Sequence, residues 1–474
     1  MADRRPPDAR PPAAGQDEPE PAAGAEADGA DDAGARPGQR AFRGGRGGRF
    51  LRMASLASRV SGSYFGQRLK RVVVGRQRAD LSLTAAHARN AERIARTFGD
   101  LKGAVMKVGQ MLSQYADILP DEYTEVLARL QNSAPPVAFD TIVDQLASEL
   151  GRPPDRVFSA LDERPFASAS IGQVHRGQLP GGRQVAIKVQ YPGVEHTVDS
   201  DVKNLRMVLR SVGLMRRGRG GEELIAEVQA RLREELDYRR ELEHLKLFRR
   251  LLGDDERLCL PAPIESLTTR RVLVLEYVVG QDFASFCAEA DQAARDRVGL
   301  TLFDVFLRQF LELRALHADP NPANFAFLPD GRIALYDFGC VRRFEPEFTT
   351  AYIGLLRDAL AGRDERLVDD LARVGVVPIA DRGLDAEVVA RFAEPILEPF
   401  RAAGDYDFGR SRIHREVIRL GLEHWQAGFD IKVPPEMVFL DRVIVGMYNN
   451  LRALGARGDW RRVLLPYLEQ RPPG

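Results

Sequence analysis

Apolar positions change their period several times along the chain, and each change predicts a different kind of element. Residues 1–40 contain no Val, Ile, Leu, Phe, Tyr or Trp. They cannot bury enough surface to offset the entropy of ordering, so disorder is expected. RAFRGGRGGRF (40–50) continues this as a basic, flexible arm. From 49 to 75, Met53, Leu56, Val60 and Tyr64 follow helical spacing, beside Arg49, Arg52, Arg59, Arg68, Lys70 and Arg71. Such a helix either lies on an anionic membrane surface or packs on its own domain. Residues 86–150 read as helices. In LKGAVMKVGQMLSQYADIL, Leu101, Val105, Val108, Leu112, Tyr115 and Leu119 alternate by four and three, which makes one apolar face. Gly103, Lys107, Gln110 and Gln114 form the opposite stripe, by the same periodicity.

Between 155 and 195 the pattern becomes strand-like. PFASASIGQVHRGQL and RQVAIKVQYPGV are separated by PGG at 180–182, a turn signal between β-rich runs. GEELIAEVQARLREELDYRRELEHLKLFRRLL (221–252) reads as one long helix, and RRVLVLEYVVG (270–280) as an apolar strand ending at Gly280. From Asp291 onward the pattern is mostly helical, interrupted by HADPNPANF (317–325) and the short strand RIALYDFGC (332–340). No repeat recurs at a fixed period. The expected divisions are a tail (1–48), a helical extension (49–150), a β-rich lobe with one prominent helix (151–280) and a helical lobe (281–474).

The 474 residues suffice for two or three domains. Lys+Arg and Asp+Glu are both 68; a general nucleic-acid binder normally shows a basic excess, so nucleic acid is not an expected partner. Hydrophobic residues at 44% and charged residues at 29% are the mixture of a globular protein with a sizeable core. Cys259, Cys287 and Cys340 are too few and scattered for a disulfide framework or a zinc site, and a reducing compartment is the default. No run approaches 18 apolar residues, so no transmembrane helix is expected. The N-terminal MADRRPPDARPPAAGQ lacks the apolar segment of a secretory leader. Only seven of the basic residues are Lys, which makes each one conspicuous, because Arg does not always replace an ammonium point charge.

The chemistry starts from Asp319, Asn324 and Asp337. Asp319 lies in a loop-like run with Pro320 and Pro322, Asn324 follows five residues later, and Asp337 ends the strand IALY before Phe338 and Gly339. Carboxylate and carboxamide oxygens suit Mg²⁺, a hard cation. A further carboxylate can orient a nucleophile or accept its proton. Phosphoryl transfer needs such a set because its catalysis is mostly positioning and charge neutralisation. VAIK (185–188) places Lys188 inside a β-branched strand, an odd position unless its ammonium meets an anion; pairing to nucleotide phosphates and a helix Glu is the kinase use of this motif. The Glu is expected from the 221–252 helix: Glu241 is the first choice, with Glu234 on nearly the same face two turns earlier. Glu235 and Asp237 point elsewhere around that helix and would need a second cation, for which Lys107 is available. His317 reads as a packed residue bonded to loop backbone, and His175 as structural. No partner that would depress a thiol pKa accompanies the cysteines.

With these residues in view, the sequence resembles the UbiB/ADCK family of atypical kinases, the accessory kinases of ubiquinone biosynthesis, over roughly residues 50–465. The marks are KVGQ (107–110) for its K-x-G-Q motif, ASAS (167–170) for its Ala-rich nucleotide loop, VAIK, ELD (235–237) for its E-x-D motif, HADPNPANF and DFG, in the family's order. The resemblance implies an α+β, two-lobed protein-kinase-like fold with an N-terminal helical extension. It implies ATP and Mg²⁺ as cofactors and a small lipid-like or phenolic quinone precursor as partner. The expected location is cytoplasmic, peripheral at the inner membrane through the basic stretch at 49–75, and the resemblance adds ubiquinone-biosynthesis proteins as partners. Lys188 would contact the α/β-phosphates and pair with Glu241; Asp319 would occupy the catalytic-loop position; Asn324 and Asp337 would bind Mg²⁺. Ala167, Ser168, Ala169 and Ser170 would cover the phosphates. Glu276, Tyr277 and Val278 would form the adenine-binding hinge. Lys107 and Gln110 would lie over the active site, with Glu235 or Asp237 holding Lys107.

Several departures bear on activity. The phosphate loop lacks the G-x-G-x-x-G of protein kinases, HAD replaces HRD, no A-P-E follows Gly339 at a plausible distance, and Asn321 stands where many bacterial members have His. A conventional protein kinase and a nucleotide-gated scaffold without turnover are the rival readings.

Overall fold

The computed structural model describes residues 137–469 apart from 170, 197, 200–201, 204–205, 207–225, 227–228, 231, 379–385, 403, 414–415 and 417–430. The expected tail (1–48), the basic stretch at 49–75, Lys107, Gln110 and Ser170 lie outside the described residues.

The first described helix, α1 (Phe139–Leu150), buries Ile142 and Leu146, one turn apart on one face. It packs on a sheet made of β1 (Ala160–Leu161), β2 (Ala167–Ala169), β3 (Gly172–Gln178), β4 (Gln184–Gln190) and a later strand. The helix α2 (Tyr238–Leu252) and the short β5 (Leu258–Cys259) precede that strand, β6 (Val272–Glu276). The order is β1-β3-β4-β6, with β2 also on β3, and every pair is antiparallel. Strand alternation decides the faces. Val185, Ile187 and Val189 join Val272 and Val274 under α1, so Ala186 and Lys188 project from the other face. Gly172 sets how closely β3 meets β4: a Cβ there would lie 2.2 Å from the Val189 carbonyl oxygen.

The 221–252 run is not one helix. Helical residues end at Glu235, and α2 starts afresh after Leu236 and Asp237. Asp237 is its N-cap, accepting from the Arg239 N–H at 3.1 Å, while the Tyr238 N–H donates to Arg270 O beside β6. Capping at Asp237 outcompetes continuation of the periodic pattern, so Glu234 does not stack two turns before Glu241. The new helix ties the lobes together. Tyr238 and Leu242 pack on Leu273 of β6, whereas Leu245, Phe248 and Leu252 belong to the core of the second lobe.

That lobe combines short strands with helices. β7 (Gln281–Asp282), β9 (Phe325–Phe327) and β10 (Ile333–Leu335) join β5 in the order β5-β10-β9-β7, and β8 (Ala315–His317) pairs with β11 (Val341–Arg343). α3 (Phe283–Glu289) and α4 (Gln292–Leu307) come first; α4 runs into a π turn at Arg308–Glu312. α5 (Pro346–Leu360), α6 (Leu367–Arg373), α7 (Ala386–Arg401), α8 (Pro435–Leu454) and α9 (Trp460–Glu469) follow. Trp460, fully buried, meets Phe303 and Phe408 edge-on at 5.6 and 4.8 Å, an arrangement favoured by ring quadrupoles. The two-residue strands β5 and β7 were not expected from the pattern, because two residues carry no period.

Candidate active site

Three ionic side chains from distant parts of the chain meet between the lobes. Lys188 Nζ donates to both carboxylate oxygens of Glu241 at 2.9 Å and to Asp337 Oδ2 at 3.1 Å. Alternation of β4 aims Lys188 away from the α1 side, and the first turn of α2 brings Glu241 beneath it. Their side chains are 15% and 7% exposed, against 38% for Asp337, so Asp337 is the member a ligand reaches first. Burial opposes charge on Lys188, and Asp337 and Glu241 overcome it, holding the ammonium well above its ordinary pKa. Burial pushes the Glu241 carboxyl up to about 7 against the pull of Lys188, with Asp337 adding to the rise. Asp337 Oδ1 also accepts the Gly339 N–H at 2.9 Å, and a Cβ on Gly339 would lie 2.9 Å from that oxygen.

Phe338 anchors this turn. It is fully buried, 5.3 Å from the Phe248 ring of α2, and its carbonyl accepts from His244 Nδ1 at 2.9 Å. The helix carrying Glu241 therefore also holds the Asp337–Gly339 turn. His317 is buried, its Nε2 bonds to Asp337 O at 2.5 Å, and its ring meets Phe338 edge-on. This is a packed, backbone-bonded histidine. Its own N–H donates to Gln309 Oε1 at 2.8 Å, out of the π turn. His175 sits within β3, between Gln173 Nε2 and Asp162 O, both at 2.8 Å. The carbonyl partner requires Nδ1–H, leaving Nε2 as acceptor for the Gln173 amide.

The loop carrying Asp319 approaches Asp337 through sheet register. Phe325 pairs with Leu335, and the Tyr336 N–H donates to Asn324 O at 3.0 Å, so Asn324 stands opposite the residue before Asp337. Asn324 is buried, and its Nδ2 donates to Asp319 O at 3.1 Å. That bond orients the carboxamide and leaves Oδ1 as the oxygen it offers to a cation. One carboxylate and one carboxamide oxygen form a hard donor set that fits Mg²⁺. Asp319 Oδ1 accepts from the Asn321 N–H at 3.3 Å.

A small pocket between the lobes is lined by Ala169, Ile171, Lys188, Glu235, Tyr238, Glu241, Asp337 and Gly339. Three lining carboxylates against one ammonium leave it short of positive charge. Tyr238 Oη, buried in its wall, has no hydrogen-bond partner among the described residues. Of the two E-x-D carboxylates, Glu235 faces the pocket and Asp237 caps α2. From the Ala-rich run, Ala169 reaches the pocket, while Ala167 and Ser168 pair with Val174 and Gln173 on β3. Directly opposed residues share a sheet face, so Val174 and Leu273 lie on the Lys188 side, as do Arg176 and Leu275 beside Ala186.

In the segment expected to form the hinge, the Glu276 N–H donates to Ala262 O and its carboxylate accepts the Ala262 N–H at 3.1 Å. The Glu276 side chain is thus bonded to the Ala262 backbone. Val278 O accepts from Tyr336 Oη at 3.3 Å. Sequence reasoning missed Tyr238, whose ring centroid lies 5.1 Å from Lys188 Nζ, as well as His244 and Gln309. An aromatic immediately after the E-x-D run was the available signal for the first. A lone polar residue in a helix names no partner, so nothing marked the other two.

A cleft with this set defines a kinase-like protein, and comparison with known proteins agrees. Residues 129–371 match the ABC1 atypical kinase-like domain, and the chain belongs to that family. It is 35% identical over 372 residues to the atypical kinase COQ8B, mitochondrial, of Rattus norvegicus, covering 76% of this chain and 68% of that one. It is 33% identical over 312 residues to the atypical kinase COQ8, mitochondrial, of Saccharomyces cerevisiae, covering 65% and 62%. The chain thus spans about two thirds of the length of these relatives. Among solved structures it resembles the Rv3197–erythromycin complex from Mycobacterium tuberculosis, with TM-score 0.59 and 26% identity, covering 83% of this chain and 98% of that one. The expected α+β kinase-like fold is therefore the fold of this protein. No described helix is long and apolar enough to cross a membrane.

Proposed function

We propose that the chain binds Mg²⁺–ATP between its lobes and either hydrolyses it or transfers its terminal phosphoryl group to a small lipid-like acceptor, in support of ubiquinone biosynthesis. The observation that carries this reading is the convergence of Lys188 on Glu241 and Asp337 at 2.9 and 3.1 Å. On ligand entry Lys188 swings part of its bonding to the α/β-phosphates while Glu241 keeps it in place. Val174 and Ala186 roof the base, the 276–278 segment meets its edge, and the Ala-rich run 167–170 covers the phosphates. Asn324 Oδ1 and Asp337 hold Mg²⁺, which neutralises charge on the transferred group. Asp319 orients the attacking hydroxyl or water and accepts its proton.

The acceptor is small on this reading because residues 340–345 alone separate Gly339 from α5, and three of them form β11. Protein kinases use a longer segment there to dock peptides. Lys107 and Gln110 are assigned to the lid over this site, with Glu235 as the carboxylate that receives Lys107. Peripheral attachment at the inner membrane rests on the basic amphipathic spacing of residues 49–75, and cooperation with ubiquinone-biosynthesis proteins rests on the family. Flotation with anionic liposomes tests the attachment: a chain lacking residues 1–75 should stay unbound.

Thermal shift with ATP, ADP and AMP, with and without Mg²⁺, tests the site. A ligand that binds only the native state raises its apparent stability. A Mg²⁺-dependent shift is expected in the parent chain and lost in Lys188→Ala and Asp337→Asn; a parent chain with no such shift overturns the reading. Broad phosphorylation of proteins with no lipid effect would overturn the small acceptor. An Asp319→Asn chain that still supports quinone synthesis would show a scaffold instead.

A further inference from the structure

The loop carrying Asp319 is gripped from a part of the chain that none of the motifs includes. Asn450, on α8 near the C-terminus, is 3% exposed, and its Nδ2 donates to Pro320 O at 2.8 Å. Asn324 Nδ2 donates to the preceding carbonyl, Asp319 O, at 3.1 Å. The carbonyls of two successive peptides, Asp319–Pro320 and Pro320–Asn321, are therefore each held by a carboxamide. Pro320 has no N–H, and its ring fixes φ, so the loop cannot anchor itself there through a backbone donor.

Gly446 lies one turn before Asn450, on the same helix face. A Cβ on Gly446 would sit 2.2 Å from Pro320 Cγ and 2.9 Å from its Cβ. The ring rests directly on helix backbone, and a proline ring cannot swing aside. α8 is itself immobilised, with Leu440, Leu451 and Leu454 fully buried. A rigid helix supporting a reactive group is how a site keeps its geometry.

We infer that Asn450 and Gly446 are positioning residues that fix the Asp319–Pro320 peptide, and with it the direction of the Asp319 carboxylate, for the phosphoryl-transfer step. The inference rests on the proposed ATP turnover. Lys188 bonds to Glu241 and Asp337, neither of which lies on α8, so the clamp bears on turnover and not on nucleotide binding.

The test uses the full chain with Asn450→Asp, which keeps the shape but removes the donor, Gly446→Ala, and Asn449→Asp as a control. Asn449 is exposed on the same helix, so the control carries the same change in charge. Amide exchange at Asn321, Ala323 and Asn324 should accelerate in Asn450→Asp and Gly446→Ala and not in the control. In the same two variants kcat for ATP hydrolysis should fall about 30-fold, the scale of a small misplacement of a reacting group, while the Kd for Mg²⁺–ATP stays within about threefold. Unchanged exchange overturns the clamp. Faster exchange with kcat retained overturns its positioning role. A parent chain that binds no Mg²⁺–ATP overturns the functional reading instead, and the exchange measurement still decides the clamp.

Discussion

The two sides of the cleft are held by opposite means. On the sheet side, Lys188 is fixed by charge: one ammonium between two carboxylates, in a lobe with a small core under α1. On the loop side, Asp319 is fixed by neutral carboxamides and by apolar packing in the larger core. A charged anchor in a low-dielectric wall depends on every partner being present and in the right protonation state. A neutral anchor depends on shape. The first arrangement suits a group that must release part of its bonding to an incoming phosphate, the second a group that must not move.

The largest effect should come from the charged side. Asp337→Asn is expected to lower Mg²⁺-dependent ATP turnover by ~10³-fold or more, read by phosphate release. Next, Lys188→Met should destabilise the chain by about 4 kcal/mol because it strands a buried carboxylate, and adding Glu241→Met should recover most of that loss. Denaturant midpoints measure both, and a double variant no better than the single would mean that charge does not hold the sheet side. Gly172→Ala should cost about 3 kcal/mol by forcing β3 off β4, a purely steric loss with no dependence on pH.

Protonation sharpens the comparison further. Because the Glu241 carboxyl is raised from 4.5 to about 7, the folded chain holds that proton more tightly than the unfolded chain does. Its contribution is present below about 4.5 and is lost as pH rises toward about 7. Ligand-free stability should fall across that window by on the order of 3 kcal/mol, and Glu241→Gln should flatten the slope. The smallest effect is expected for Asp237→Ala, about 1 kcal/mol from a lost helix cap, with the Mg²⁺–ATP shift intact. Loss of that shift would mean Asp237 does more than cap α2.

Local chemistry was legible before the fold. Lys188 in a β-branched strand, Asp319 and Asn324 five residues apart, and Asp337 at a strand end each advertise their type, because each motif is short and its neighbours are part of the signal. The choice of Glu241 from several acids followed from family resemblance and spacing, yet the spacing argument assumed an unbroken helix. The break at Leu236 and Asp237 was invisible because capping competes with periodicity over a single residue.

Sequence alone thus determined which groups are available for phosphate and metal chemistry and the alternation that sends Lys188 to one face of its strand. Only the tertiary structure decided that Lys188 meets a Glu 53 residues away and an Asp 149 away, that Glu235 faces the pocket while Asp237 does not, and that Asn450 grips Pro320 across 130 residues. A hydrogen bond or ion pair depends on distance and direction in space, and spacing along a chain records those only within a single helix or strand.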